Sequence, residues 1–440
     1  MFRVDKYIDK GLWAAGSQLL YLVYGVIAIF LVVRVLPQEE FGLYILSQGI
    51  VQFVVMISGS MVYNYMVREL SVVDWDPVLP FNSFVLSLSF HIVIFAPFIY
   101  LSDQISTALN TPLLAPLLLN AIPIQLGGLF LINFFRKLII SSRNPKKLFA
   151  LNGVYFGLLS SGLLYLNITG ELTTAKQVIY LTAASGFGSA VVGWLFSQNL
   201  LKRSRVILSF VHQKRILNFG KYVVGASSAN TIASSVDSYI IAYILGPLQV
   251  AFYNSAKVLF RFYQTISQMM DITVFPYGSK LAKEGRISEL TALYEKILCF
   301  IYVVLLPVNV VAIIFMKPLF EFIYGDRYEG AYIIMQLLIV SATLGPAVSL
   351  SAYLIFALGK PKTVFAARIF QLIVTVVAGI FLIQKMGTQG MAWAYISGMF
   401  VQVYFLTLKM KSILPVTLKG VLMRVKDIVP FIKNLLRLSD

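Results

Sequence analysis

Lys257 and Arg261 stand four residues apart inside a long apolar segment, so on a helix both cations share one face. A cation near the bilayer centre costs roughly 2.5–3.5 kcal/mol on insertion scales, so it should face water or an anion. The apolar stretch Phe219 to Tyr277 reads as a helical hairpin turning at Gly246-Pro247. Asp237 lies ten residues before Pro247 and Lys257 ten after it, which puts the two at similar depth. Two readings are open. Lys257 forms a salt bridge with Asp237 that holds the hairpin. Alternatively, Lys257 contacts an anionic substrate while Asp237 changes protonation and couples an ion. Arg261 has no carboxylate at its own depth, which favours an anion-facing role over a distant ion pair or snorkelling. Arg368 lies about one turn inside a later apolar segment, where it either attracts an anionic head group or anchors that helix at the interface. Gln48 and Gln52 are again four apart on one helix face, and either line a polar cavity or hydrogen-bond between helices.

Other chemistries find no residues to carry them. There is no GxxxxGK[ST] phosphate loop, no metal-ligand spacing and no nucleophile–base pair, so neither an enzyme nor a cofactor is expected. The single cysteine, Cys299, excludes an intramolecular disulfide, and His91 and His212 are too far apart in sequence for a ready metal pair. His91 reads as a packed, hydrogen-bonded histidine.

These residues are carried by membrane segments. The chain is 58% hydrophobic and 12% charged, with a mean hydropathy of +0.81. A soluble domain carries about 25% charged residues. Stretches of roughly 20 mostly apolar residues predict twelve transmembrane helices: Gly11–Leu36, Phe41–Val67, Phe81–Leu101, Leu113–Ile140, Leu148–Ile168, Ala175–Leu201, Phe219–Leu245, Gln249–Phe275, Leu293–Phe315, Ala331–Leu358, Val364–Gln384 and Gly390–Leu408. Pro116, Pro123, Pro307 and Pro346 interrupt several of them. The apolar segment after Met1 to Lys10 is long and lacks a small-residue cleavage site, so it reads as a first transmembrane helix and not a signal peptide.

With the N-terminus inside, the inner loops and tails hold Arg68, the basic cluster from Arg136 to Lys147, that from Lys202 to Arg215, Lys280 to Lys296, Lys360, Lys362 and the C-terminal set. The outer loops hold Arg34, Lys176, Lys317, Arg327 and Lys385. That asymmetry predicts cytoplasmic termini, and it accounts for most of the net charge of +17 without nucleic acid.

The chain also repeats itself. Gly11 and Gly16 match Gly220 and Gly225, and Leu36, Tyr44, Phe53, Ile57 and Ser58 match Leu245, Tyr253, Phe262, Ile266 and Ser267. On the same register Gln48 and Gln52 match Lys257 and Arg261. The expected architecture is therefore an all-α polytopic membrane protein with two six-helix lobes related by a pseudo-twofold along the membrane normal. The N-terminal lobe is residues 1–201, a basic cytoplasmic linker 202–218, the C-terminal lobe 219–410, and a basic amphipathic tail 411–440. The tail's 4-3 apolar spacing fits a helix on an anionic leaflet or a coiled coil, interrupted at Pro430.

Certain residues carry a family resemblance. They are Lys10-Gly11 with Gly16-Ser17, then Leu36-Pro37-x-Glu39-Glu40-Phe41-Gly42-Leu43-Tyr44, the Asn144-Pro145-Lys146 and Gly359-Lys360-Pro361-Lys362 loops, and Gly387-x-x-Gly390-x-Ala392. Over nearly its whole length the chain resembles the polysaccharide (O-antigen and exopolysaccharide) flippases of the multidrug/oligosaccharidyl-lipid/polysaccharide exporter superfamily. The resemblance implies translocation of undecaprenyl-pyrophosphate-linked oligosaccharide units across the bacterial inner membrane, by alternating access around a cationic cavity. It implies as partners the lipid-linked oligosaccharide, membrane lipids, and the polymerase and chain-length regulator of the same pathway. Lys257 and Arg261 match the idea of that cavity but no fixed family motif. Three alternatives stand: a cation-coupled multidrug exporter of the same fold, using Asp237 and Asp271; a flippase for the peptidoglycan lipid precursor; and a polymerase or ligase acting on lipid-linked sugars. The last would need a large outer loop, whereas Met316 to Gly330 is short and its Gly325-Asp326-Arg327-Tyr328 reads as a turn.

Overall fold

The computed structural model describes residues 4–72, 75–142, 144–260, 281, 284–358 and 360–427, which hold helices and loops but no strand. Helix α1 (Val4–Ala28) continues as a π turn over Ile29–Val33. There follow α2 (Gln38–Val72), α3 (Leu79–Tyr100), the short α4 (Ser102–Ala108) and α5 (Leu114–Pro116), then α6 (Ile122–Ser141), α7 (Pro145–Ile168) and α8 (Ala175–Lys202). The second part of the chain holds α9 (Phe210–Leu245), α10 over residues 247–260, α11 (Ile287–Tyr324), α12 (Ala331–Ala357), α13 (Pro361–Lys411) and α14 (Leu418–Met423).

Eight of the described helices are long and apolar enough to cross a membrane, and Leu19–Val33 and Thr231–Leu245 are shorter apolar stretches. The expected boundaries hold to within a few residues for the segments from α3 to α8, while α2 runs from Gln38 to Val72, past the expected end at Val67. The eighth expected segment is helical to residue 260, and its remainder, with Arg261 and Asp271, lies outside the described residues. The last two expected segments are two helical arms, labelled together as α13, separated by a non-helical break at Gly387 (φ 57°, ψ −141°). A Cβ on Gly390 would strike the Leu382 backbone, and one on Gly398 would strike Thr375 Oγ1, so the two arms run antiparallel in close contact.

Several helices extend beyond the apolar stretch that marked them. Arg68, expected in a loop, sits within α2, while Arg136, Lys137 and Lys296, counted with the inner-loop cations, lie inside the expected segments and inside α6 and α11. The reason is length: α2 has 35 residues and α11 38, against the roughly 20 a bilayer core requires. Prolines act locally. Pro116 and Pro123 flank a π turn, Leu117–Ala121, in which Ile122 N–H reaches Leu117 O; Pro307 and Pro346 lie inside helices that run on past them.

The chain divides into two compact units, Met1–Ala251 and Phe252–Asp440. In the first, α9 lies along α2 with almost no space between the backbones. A side chain at Gly42 would collide with the Pro247 carbonyl, and one at Gly220 with that of Met61. Tyr239 Oη donates to Leu46 O at 3.0 Å along the same seam. Small residues that let backbones approach are the usual currency of helix association in lipid, where burial gains nothing from leaving water.

Helix ends explain several of the motif residues. Asn144 Oδ1 accepts from Lys147 N at 3.2 Å, with Pro145 at the first position of α7. Thr174 and Gln177 form a capping box on α8, and Glu40 Oε2 accepts the free Ala175 N–H at 2.7 Å, tying α2 to the α8 start.

In the second unit, Leu290, Tyr294, Leu354 and Met410 form a core that Leu414 and Val421 of the tail join. The tail is not one long helix among the described residues. Thr417 caps α14, a 3₁₀ turn follows at Arg424–Asp427, and buried Glu295 pairs with Arg424 at 3.5 Å.

Candidate functional site

Asp237 lies on α9, which runs unbroken from Phe210 to the positive-φ turn at Gly246. It is buried, and its Oδ1 accepts from the backbone N–H of Ser238 at 2.8 Å. Lys257 lies on α10, half-buried, with its Nζ 5.9 Å from the Tyr253 ring centre, within cation–π reach. Asp237 belongs to the first unit and Lys257 to the second. Arg261 lies outside the described residues.

Gln48 and Gln52 occupy successive turns of α2 and differ in surroundings. Gln48 is half-buried in a reciprocal amide pair with Gln125 of α6: its Nε2 donates to Gln125 Oε1 at 3.3 Å, and Gln125 Nε2 donates back at 3.1 Å. Gln52 is exposed. Of the two roles open for these glutamines, Gln48 thus makes the interhelical hydrogen bonds. On the neighbouring turns, Gly49, Ile50 and Phe53 line a cavity of about 410 Å³ with Phe98, Thr231 and Tyr239. Its wall is almost wholly apolar, so it offers room for hydrocarbon and nothing to hold a charge.

Arg368 stands half-buried on the first arm of α13, and its Nη1 donates to Gln371 Oε1 at 2.6 Å. Its Nε is buried with no acceptor. Gln371 Nε2 donates in turn to Met399 Sδ at 3.2 Å on the second arm. Thr375 Oγ1 and Gln402 Oε1 are also buried without hydrogen-bond partners. The α13 hairpin therefore holds a guanidinium among neutral polar groups that leave part of its hydrogen-bonding capacity unused. An interface anchor would instead extend its head toward water. A buried donor left unmet costs about 1–3 kcal/mol, more when charged, so this is a place where an acceptor oxygen fits.

Two further polar clusters stand out, and the first escaped the sequence reading. Arg136 of α6 is held like a fork: Nε donates to Asn152 Oδ1 at 2.9 Å and Nη1 to Asn133 Oδ1 at 2.8 Å, while Asn152 Nδ2 donates to Ser17 Oγ at 2.8 Å. Its guanidinium carbon stands 5.8 Å from the Tyr155 ring centre. The i, i+3 spacing of Asn133 and Arg136 is visible in the sequence, but Arg136 reads there as a loop cation, and its partner Asn152 on α7, like the Ser17 of α1 that Asn152 bonds in turn, is remote from it in sequence. The second cluster surrounds His91, which is packed and hydrogen-bonded as expected. Its Nδ1 lies 2.8 Å from Ser87 O, its Nε2 3.3 Å from Ser58 Oγ, and its ring stands edge-on to Phe130. Among the described residues no three His, Cys, Asp or Glu side chains are placed to share a metal ion.

Comparison with known proteins adds the following. A family model described as "Polysaccharide biosynthesis protein" matches residues 31–333. A Shigella flexneri protein described as an O-antigen transporter is 20% identical over 239 residues, covering 51% of this chain and 56% of its own length, so the chain spans about half of that relative. The lipopolysaccharide biosynthesis protein WzxC of Escherichia coli (strain K12) is 21% identical over 384 residues, covering 83% of this chain and 73% of the relative. Among solved structures, the lipid II flippase MurJ in an inward closed conformation superposes with a TM-score of 0.68 at 14% identity, over 98% of this chain and 93% of that one. A multidrug resistance MATE transporter in an inward-facing conformation also gives 0.68, at 16% identity over 90% of this chain and 94% of its own. At such identities these two likenesses are of fold.

Proposed function

The chain belongs to the polysaccharide biosynthesis protein family, and from that premise we propose that this multi-pass membrane protein is a flippase for lipid-linked oligosaccharides and not an enzyme. The finer reading is that it moves undecaprenyl-pyrophosphate-linked repeat units across the bacterial inner membrane for surface polysaccharide synthesis. The architecture proposed with it has twelve spans, with lobes at 1–201 and 219–410, the linker 202–218 and the tail 411–440, and both termini cytoplasmic. Alternating access takes place around a cationic central cavity. The polymerase and the chain-length regulator of the pathway are its proposed partners.

The observation that carries the substrate class is Arg368, a guanidinium half-buried in a membrane helix hairpin with a buried N–H left without an acceptor. A pyrophosphate oxygen supplies the acceptor and the counter-charge together. Lys257 and Arg261 are the other proposed phosphate contacts, Gln48 and Gln52 the proposed sugar-side contacts, and Asp237 either the coupling group or the partner of Lys257. Support also comes from relatives described as an O-antigen transporter and a lipopolysaccharide biosynthesis protein, and from the flippase among the fold neighbours.

The test is complementation of a strain lacking this gene. Arg368→Ala and Arg261→Ala are each expected to abolish surface polysaccharide while the protein still inserts; normal polymer at normal expression overturns the reading. The multidrug exporter remains as a second reading because the MATE transporter superposes equally well. Drug resistance conferred on a sensitive host, with no effect on polymer, would favour it. The polymerase or ligase reading predicts unpolymerised units already on the outer face of the deletion strain.

A further inference from the structure

Between α8 and α9 the backbone leaves the helix for six residues, 204–209, yet it is tightly held on one side. Arg205 N–H donates to Pro77 O at 2.6 Å, Asn82 Nδ2 donates to Ile207 O at 2.8 Å, and Ser209 N–H donates to Asn82 Oδ1 at 2.9 Å. Asn82 itself is fully buried. His212 completes the fixation, with Nε2 3.0 Å from Asp76 Oδ2 and Nδ1 2.8 Å from Ser209 Oγ. A connection pinned at residues 205, 207, 209 and 212 is a strap with a defined outer side.

That outer side is apolar. Val206 is 79% exposed, Phe210 78% and Val211 59%, and Ile207 and Leu208 are half exposed. An ordered backbone that fixes large apolar side chains outward, rimmed by polar residues, marks an interaction surface. The rim is predominantly basic: Lys202, Arg203, Arg205, Lys214 and Arg215 are all exposed. No acidic residue occurs between Glu171 and Asp237, and the carboxylate that touches the strap, Asp76, is engaged by His212.

We propose that the strap is a membrane-surface anchor: its apolar side chains enter the head-group and acyl boundary of the adjoining leaflet, and its five cations hold anionic phospholipid head groups. The location follows from the chain, since the strap joins the end of a membrane-crossing helix, α8, to the start of α9. The chemistry follows from the pairing of an apolar ridge with five exposed cations, which is what an anionic lipid surface recognises. A protein partner would need its own acidic rim around an apolar groove; lipid supplies both without further assumption. Naming the leaflet as cytoplasmic rests on the orientation proposed above, but the lipid contact does not depend on the substrate.

The experiment uses the full chain in nanodiscs, with Cys299→Ser as background. An environment-sensitive fluorophore is attached at Phe210→Cys or Leu208→Cys, and at Glu171→Cys in an exposed loop as control. In discs rich in phosphatidylglycerol the strap probes are expected to emit at shorter wavelength, with an iodide quenching constant several-fold below that of the control. Nitroxide-bearing lipids are expected to quench them. Changing the five cations to Gln is expected to remove the difference between anionic and zwitterionic discs. Two results overturn the proposal: iodide quenching equal to the control in both lipids, or protection seen only in native membranes, which would mean a protein partner. Label at two positions guards against one variant misfolding.

Discussion

At the scale of single residues, Gln48 and Arg368 show how differently a polar side chain in a membrane helix can be used. Gln48 and Gln125 satisfy each other through both amide groups, so removing one leaves the other wanting. Interhelical hydrogen bonds in membrane proteins average about 0.6 kcal/mol and reach about 1.7 kcal/mol. Gln48→Leu and Gln125→Leu are each expected to lower stability by about that much, and the double variant by less than their sum, as measured by thermal unfolding in detergent. The same variants separate two roles for Gln48. If it serves only the pair, the double variant keeps its transport; if it also touches sugar, transport falls although stability recovers. Arg136 makes a sharper case, because a lysine has no planar fork to reach Asn152 and Asn133 together. Arg136→Lys is expected to cost about 1–2 kcal/mol of stability in the same measurement, from two lost hydrogen bonds to a charged group. The sequence exposed the polar residues in apolar helices but not these pairings: Gln48 and Gln125 are 77 residues apart, and Asn152 and Ser17 are 135 apart. Periodicity along one helix contains no information about which neighbour lies across it.

At the scale of helices, legibility was greatest where a local rule is enough. Asn144-Pro145, read as a loop ahead of a helix at Leu148, is where α7 starts, with a side-chain cap and a proline at the first position that need no distant partner. The Gly325-to-Tyr328 stretch reads as a turn and is a short 3₁₀ helix after the positive-φ Gly325. Glu40 and Gly42 were recognisable as motif residues but their use was hidden. Glu40 caps α8, more than a hundred residues away, and Gly42 admits the Pro247 carbonyl. Glu40→Ala is expected to destabilise by about 0.5–2 kcal/mol, the usual cost of a lost cap. Gly42→Val forces a side chain into backbone and is expected to cost more, about 1–3 kcal/mol or above, with reduced folded yield. Gly25→Ala, which meets open space, is the control expected to change neither. At α13 the dip in hydropathy around Gly387 marks the break between its two helical arms but suggests a longer connection than the structure shows. The chain instead reverses within one residue, in a backbone region reserved for glycine, and both arms stay helical.

At the scale of the whole molecule, charge decides more than any motif. A net charge of +17 on a chain with 12% charged residues has to be distributed by side of the membrane, and long loops are not available to dilute it. Some cations turn out to serve helices and not loops, such as Arg136 and Lys296, but the clusters at Lys146–Lys147, at Lys202–Arg215 and from Lys409 onward keep the bias strong. If the lysine and arginine bias sets orientation, these clusters share one side with the C-terminal region, while the Thr169–Thr174 connection lies on the other. Green fluorescent protein fused after Lys411 is then expected to fluoresce and alkaline phosphatase fused there to be inactive. The pattern reverses for insertions at Gly170, an exposed turn residue with φ +71°. The opposite outcome would put more than a dozen cations across the membrane against the potential, and would place the strap on the outer leaflet. It would also point the basic surface away from the side on which a lipid-linked sugar is assembled. The two-sided fusion therefore tests the direction of the proposed transport before any substrate is in hand.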